Sequence, residues 1–458
     1  MTEKPKRTTF RNRMEEMAAS LREDIITGRR TAGDYLPSES SLAEQFQLSR
    51  NSIRKALEQL VSEGYVEKVP RKGNRIVGPD RNNVVTLRFG YYPSLVEEAD
   101  ILTLVDLFQK KYPHIAVDPL PMPHSHQHLT IRDFLQNDLV DVLTVNVDNF
   151  TFVFNPGEQA QMLEPLEGTY DLYPYLTKPF MHGDATYVQP LIFSPIILCY
   201  NKDHFAEKEL SEPDSSWNWD DLLKATSLLA DGKERFGFGF HLFSDNRWPI
   251  FLLQSGIRLE RDESGKYDLA NEKLLEGMRL SKKVIENEGT FPYFLCENDT
   301  EAEKFFLQRK ISMVMSSYFR LNMIKNADID FDIATLPHGE QPSTLLIIIG
   351  LAISKQSKQK LAAQTFIDFM LSYEAQLHIR LSRLSIPALK KAAEYKTSDN
   401  PPMPSRFHLY REISPTFRLH TDLNIHFTQL DRIRKELKLY WSDLSDLDTV
   451  RRKLEEEL

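Results

Sequence analysis

The chain has 458 residues, 41% hydrophobic and 27% charged, with 57 Lys and Arg against 66 Asp and Glu. That size and balance belong to a soluble globular protein of two or three folding units with ample core. Two cysteines, Cys199 and Cys296, exclude a disulfide framework or a zinc site and suit a reducing cytoplasm.

The N-terminus lacks the apolar core of a signal peptide and a lipobox cysteine. No apolar run of about 18 residues is available to span a bilayer. The expected location is therefore the cytoplasm, with no membrane partner. The charge is uneven: residues 1–80 carry 15 basic and 12 acidic side chains, net +3, and residues 81–458 carry 42 and 54, net −12. Phosphate affinity needs concentrated cations, so any nucleic-acid contact is expected in the head.

In chain order, Met14, Met17, Ala18, Leu21 and Ile25 recur at helical spacing and predict a helix over 10–27. Ser38 is placed to cap a short helix ending near Phe46, and Ser49 a second one that stops before Gly64. On the second helix Ile53, Leu57, Leu60 and Val61 share one face, while Arg50, Asn51, Ser52, Arg54 and Lys55 cluster at its start. A cationic, amide-bearing helix N-terminus behind a short helix and turn is how a recognition helix enters a major groove. Strands at 65–69 and 75–77 flank Pro70-Arg71-Lys72-Gly73-Asn74, a basic hairpin.

This stretch, from LPSESSLAEQF through SRNSIRKALEQL to Gly64, resembles the GntR-type winged-helix regulators. That resemblance implies operator DNA as partner, with Ser38, Arg50, Asn51, Ser52, Arg54, Lys72, Gly73 and Asn74 as contacts. The family commonly has Arg where this chain has Ser40, which puts more of the recognition on Arg50 and Arg54. Residues 1–77 form the expected head, and the turn-rich 78–83 the linker.

From Val84 the texture alternates: a strand over 84–91, a helix over 99–111, strands over 115–120 and 140–145, with a helix at 131–136 between them. That order implies an α/β unit with a parallel sheet and a ligand beyond the strand ends, near Tyr92, Asn146 and Asp148. Four later blocks come in order. They are YNKDHF with the later WNWDDL, the FGFGF segment, FFLQRKISMVMSSYF, and LAISKQSKQKLAAQTFIDF. In order and spacing they resemble the sugar-type, family 1 solute-binding proteins of ABC importers.

The resemblance implies a bilobal, type II periplasmic-binding-protein-like fold over 84–458. One lobe would hold 84–193 and 348–376, the other 194–347 and 377–458, with crossovers near Phe193–Pro195, near 347–350 and after Glu374. It further implies a small solute, a sugar or oligosaccharide, in the cleft, bound by Tyr92, Asn146, Asp148, Trp248, Ser317, Tyr318 and Phe319. Phe319 matches the position of a sugar-stacking aromatic, while Ser317 stands where Gly is usual. Trp217 and Trp219 are expected to pin the helix that follows them. A homodimer is expected, because operator half-sites demand a fixed spacing.

Two other chemistries leave partial traces. His124, His126 and His128 alternate but sit between prolines, so no metal is expected. Some GntR-type regulators carry an aminotransferase-like body that binds pyridoxal phosphate. Ser354-Lys355 superficially resembles its lysine motif, but the glycine-arginine segment is missing, so no cofactor is expected. No Gly-x-Ser-x-Gly elbow or Cys–His nucleophile marks an enzyme.

Overall fold

A computed structural model describes residues 13–14, 17–18, 20–22, 24–25, 30–62, 64–77, 84–122, 127–152, 158–261, 267, 271–396 and 403–457. The expected linker at 78–83, together with His124 and His126, lies outside the described residues, as does the side chain of His128.

In the head, the described residues between 13 and 25 are helical, and Met17, Ala18, Leu21 and Ile25 are buried. Helix α1 (Glu39–Phe46) is closed at its start by Ser38, whose Oγ accepts from the Ser41 amide at 3.2 Å. It ends at Gln47 in the left-handed region (φ 51°), which turns the chain sharply into the next helix. Helix α2 (Arg50–Ser62) starts with the Ser52 amide donating to Ser49 Oγ at 3.2 Å. It buries Ile53, Ala56, Leu57 and Leu60, whereas Val61, expected on the same face, is exposed.

Strand β1 (Val66–Val69) pairs antiparallel with β2 (Gly73–Ile76) to make the hairpin. Gly73 sits at φ 111°, a conformation that only glycine adopts without strain. A third strip, unmarked by any strand pattern in the sequence, joins the hairpin. The approach to α1 lies along β2, with the Gly33 amide donating to Ile76 O and Leu36 to Asn74 O.

The body begins at β3 (Val85–Tyr91), and a helical stretch comes next. The single helix expected over 99–111 is two, Leu95–Ala99 and α3 (Ile101–Lys111), separated at Asp100 by a left-handed φ of 54°. Strands β4 (Ile115–Pro121) and β5 (Val142–Asn146) both run parallel to β3, as the alternation predicts. Strand β6 (Gln189–Asn201) is buried along its whole length. Beyond it come β7 (Phe236–Gly239), helix α4 (Pro249–Gln254), β8 (Ile311–Ser317), β9 (Phe331–Ala334) and β10 (Thr344–Ile353). Helix α5 (Tyr373–Ser382) leads to β11 (Ile386–Pro387), then β12 (Phe417–Arg418), α6 (Phe427–Trp441) and α7 (Leu447–Glu457).

The strand order is β4-β3-β5-β10-β6-β8-β7, with β9 and β11 on β6 and β12 on β10. Two long antiparallel strands, β6 and β10, thus run through the middle, with parallel strands on either side. Leu346 pairs with Pro195 and Ile348 with Phe193, the two stretches where crossovers are expected. Past Glu374 the chain packs on both cores. Leu384, Ile386, Phe407 and Tyr410 still pack in the core that holds Phe89 and Leu143. Leu423, Ile425 and the apolar face of α6 join the core around Trp248. Sheet and helices together form the curled, bilobal architecture expected of a periplasmic-binding-protein fold.

Register on the central pair shifts at a bulge between Ile349 and Gly350. A Cβ on Gly350 would sit 2.5 Å from Gln189 O and 2.7 Å from Val188 Cγ1. Gly350→Ala is therefore expected to lower stability by about 1–3 kcal/mol, since backbone cannot give way as a side-chain tip does. An unchanged urea midpoint in that variant refutes the close approach.

Candidate functional site

Most of the contacts expected of the head are exposed. Arg50, Asn51, Arg54 and Lys55 are exposed or half-buried on α2, and Arg71, Lys72 and Gly73 are exposed at the hairpin tip. The Ser38 hydroxyl is engaged in its cap, and the Ser52 hydroxyl lies 2.9 Å from the capping Ser49 Oγ. Arg54 Nε lies 3.0 Å from Glu39 Oε2 and 3.3 Å from Oε1, an ion pair tying α2 to α1. Arg75 pairs with Glu67 across the hairpin, which leaves Lys72 as the lysine at the tip. Lys72→Ala is expected to weaken binding to all DNA alike and to lower the slope of log affinity against log salt by about 1. An unchanged slope in a salt titration puts Lys72 off the phosphates.

In the body, Tyr92 follows β3 and Asn146 ends β5, so both stand at carboxyl ends of parallel strands. The Tyr92 hydroxyl accepts from Asn149 Nδ2 at 2.7 Å and from the Asn146 amide at 3.3 Å. Burial pushes the Tyr92 phenol up, so it stays neutral. Asn146 Oδ1 accepts the Asn149 amide at 2.7 Å. These groups build the loop; they are not idle.

Ser317 closes β8, and the Tyr318 amide donates to Ser194 Oγ at 2.8 Å, beside one of the crossings. The Tyr318 ring packs edge-on to Phe407 and Tyr410, and its hydroxyl donates to Phe407 O at 2.9 Å, which is the bonding of a core tyrosine. Tyr92, Trp248, Ser317, Tyr318 and Phe319 are all buried, and Trp248 meets Trp441 edge-on at 6.4 Å. Trp219 is held as expected, its Nε1 donating to Gln254 Oε1 at 2.6 Å. Asn146 and Asp148 are the half-buried members of the expected set.

Asp148 is where the structure adds most. Its Oδ1 lies 2.7 Å from His420 Nδ1, while His420 Nε2 lies 2.6 Å from Asp245 O. Arg434 Nη1 in turn holds Asp245 Oδ1 at 2.7 Å. Burial alone pulls the His420 imidazole down. The Asp148 carboxylate and the Asp245 carbonyl and carboxylate outweigh it and raise the pKa to about 9. A protonated histidine thus bridges the end of β5 to the loop before α4.

Nearby, buried Arg247 donates through Nε to Met315 O at 3.2 Å and stands 3.5 Å from Asp299. Burial would raise Asp299; Arg247 and His241 hold it at about 2. Arg320 Nε meets buried Glu303 at 3.1 Å. Glu98, beyond β3, is pushed up to about 7 by burial, against the Ser94 hydroxyl at 3.1 Å and the Arg320 charge. None of His420, Asp245, Arg434, Arg247 or Arg320 was foreseen. The polar run Ser244-Asp245-Asn246-Arg247 between apolar stretches was the signal available.

Residues 89–377, more than half of the chain, match the family described as bacterial extracellular solute-binding protein. The chain belongs to that family. Its first part, residues 13–76, matches bacterial regulatory proteins, gntR family. The solute-binding body is similar to the galactooligosaccharide-binding protein of Bacillus subtilis (strain 168). Identity is 26% over 307 residues, covering 63% of this chain and 70% of the relative. It also aligns with a Brucella abortus (strain 2308) binding protein at 24% identity over 251 residues, 52% of this chain and 60% of that relative's length. Among solved structures it resembles the Listeria monocytogenes ABC substrate-binding protein Lmo0181 in complex with cycloalternan. There the TM-score is 0.67 and the identity 19%, over 82% of this chain and 98% of that one.

A gntR-type DNA-binding head is thus joined to a solute-binding-protein body, and neither family is one of enzymes. Lys355, the lysine of the aminotransferase alternative, is paired with Glu164 at 3.1 Å. Among the described residues no helix is long and apolar enough to cross a membrane.

Proposed function

We propose that the protein is a cytoplasmic, ligand-responsive transcription regulator. Its winged helix binds operator DNA as a homodimer, and its body binds a small solute, a sugar or oligosaccharide, between the lobes. One observation carries the reading: a head with an exposed cationic recognition helix and a solute-binding body occur on one chain. A sugar is favoured because the similar Bacillus subtilis protein is named for galactooligosaccharides. Arg50, Asn51, Arg54, Lys72 and Asn74 would contact DNA, with Ser38, Ser52 and Gly73 setting the backbone. Asn146, Asp148 and Phe319 would meet the solute, with Tyr92, Trp248, Ser317 and Tyr318 shaping the walls. Because most of those walls are buried, a solute enters only when the lobes part, and its binding energy then biases the opening.

The test has two steps. Full-length protein selects its DNA from a random library, and a thermal-shift screen finds mono- or oligosaccharides that stabilise it. A stabilising sugar is expected to change the affinity for the selected DNA by roughly 5–150-fold, the range of ordinary coupling free energies. Stabilising ligands that never alter DNA binding refute the sensor reading.

A further inference from the structure

Past Thr416 the chain enters β12, which pairs in parallel with Thr344 and Leu345 at the start of β10. Between the segment leading into β12 and the loop joining β9 to β10 lies a cavity of about 270 Å³. Leu336, Leu409 and Ile413 give it an aliphatic wall, and Ser343, Thr344 and Thr416 bring hydroxyls. It shares no lining residue with the cleft set described above.

Ser343 is the group that asks for a guest. It is 3% exposed, and among the described residues its hydroxyl has no hydrogen-bond partner. A buried hydroxyl without a partner is a standing cost that a polar occupant relieves. The adjoining hydroxyls have spent their protons: Thr344 Oγ1 donates to Ile196 O at 2.6 Å and Thr416 Oγ1 to Ile413 O at 2.7 Å. Their oxygens remain able to accept, while Ser343 can donate or accept. Among the described residues no lysine or arginine lines the cavity; its titratable groups are Glu412, whose carboxylate disfavours an anion, and His338, whose Nδ1 lies 3.0 Å from Gly339 O.

Hydroxyl oxygens set against an aliphatic wall match a molecule with C–H faces and a hydroxyl rim. We propose that this cavity is a second small-molecule site, distinct from the cleft, for a neutral polyol no larger than a monosaccharide. The guest exchanges hydrogen bonds with Ser343 and Thr416 and packs on Leu409 and Ile413. It thereby ties the segment that leads into β12 to the start of β10. Binding there stands by itself; only its effect on lobe opening rests on reading the body as a sensor.

The test is calorimetric titration of the full chain with D-glucose, D-sorbitol and glycerol. At least one is expected to bind. Ser343→Ala should weaken it about fivefold, the effect of one lost hydrogen bond, and Ile413→Trp, which fills the cavity, should abolish it. If Ile413→Trp does not fold, Thr416→Val replaces it and should weaken binding by a similar factor to Ser343→Ala. Binding that ignores Ser343 and Thr416, or no binding by any of the three, overturns the site, and so does a crystal soaked in the polyols that shows water alone beside Ser343. Uptake of glucosamine but of no neutral polyol overturns the ligand class. These outcomes differ from failure of the regulator reading, which is judged by DNA affinity and not by polyol binding.

Discussion

Arg50→Ala and Arg54→Ala are each expected to weaken specific DNA binding by about 1–3 kcal/mol, the worth of a side chain that reaches a base edge. Both project from the first turn and a half of α2, whose opposite face is fixed by buried Ile53, Leu57 and Leu60. Arg54 is held by Glu39 in the free head. That pair is largely exposed, and exposed pairs contribute about 0–1 kcal/mol, so DNA can recruit Arg54 at small cost. Glu39→Gln should accordingly tighten DNA binding slightly, by removing a competitor and an anion that faces phosphate. Competition gel shifts with specific and scrambled DNA separate the roles: the arginine variants lose preference, Glu39→Gln gains overall affinity. Specific binding unchanged in both arginine variants removes α2 from the recognition surface.

The second large effect is a loss of stability on the alkaline side. His420 has its pKa raised from 6.5 to about 9 in the folded chain. A raised histidine contributes stability that is complete below the unfolded value and disappears as pH climbs through the folded one. The interval here is therefore pH 6.5 to 9, and a shift of that size corresponds to about 3 kcal/mol. Glu98, raised to about 7, works in the same direction but at lower pH, between 4.5 and 7. Urea melts at pH 7 and 8.5 read the histidine below the range in which the buried thiols Cys199 and Cys296, also raised, cost stability. Asp148→Asn should flatten that interval and cost about 3 kcal/mol at pH 7, since it leaves a buried cation without its counter-charge. A wild-type stability that is level from pH 7 to 8.5 refutes the charged bridge.

How much could be read from residues alone depends on the range of the interactions. Caps and turns are local, so Ser38, Ser49 and Gly73 declared the head by residue type and spacing. The parallel strands of the body announced themselves as apolar runs broken by helices, and Trp219 behaved as a helix pin. Periodicity erred where a neighbour decides. Val61 fits the apolar face of α2 by spacing, yet the fold leaves it exposed. The strip at 33–36 has no strand pattern; its bonds to β2 and the burial of Leu36 fix it.

The residues expected at the cleft divide along the same line. Asn146 and Asp148 were found by their place at the end of β5. Their partners were not: His420 lies 272 residues from Asp148 in sequence, and Asp245 lies 175 from His420. Tyr318 is expected at the cleft by its place after β8, and its packing against Phe407 and Tyr410 is a contact that no local pattern signals.

The late return of the chain sets an order of assembly during synthesis. The helices and hairpin that close the head, with buried Leu42, Ile53, Leu57, Leu60 and Ile76, are complete by residue 77, so it can fold while most of the body is still being translated. The core around Trp248 needs Leu430, Ile433, Leu437, Val450 and Leu454, which emerge long after the head. A message cut short, or a nascent chain stalled past the first lobe, therefore yields a finished reading head on an unfinished body. Such fragments would compete for the same DNA while deaf to the solute. Premature stops late in the gene should behave as dominant, unresponsive alleles, where early ones are simply null.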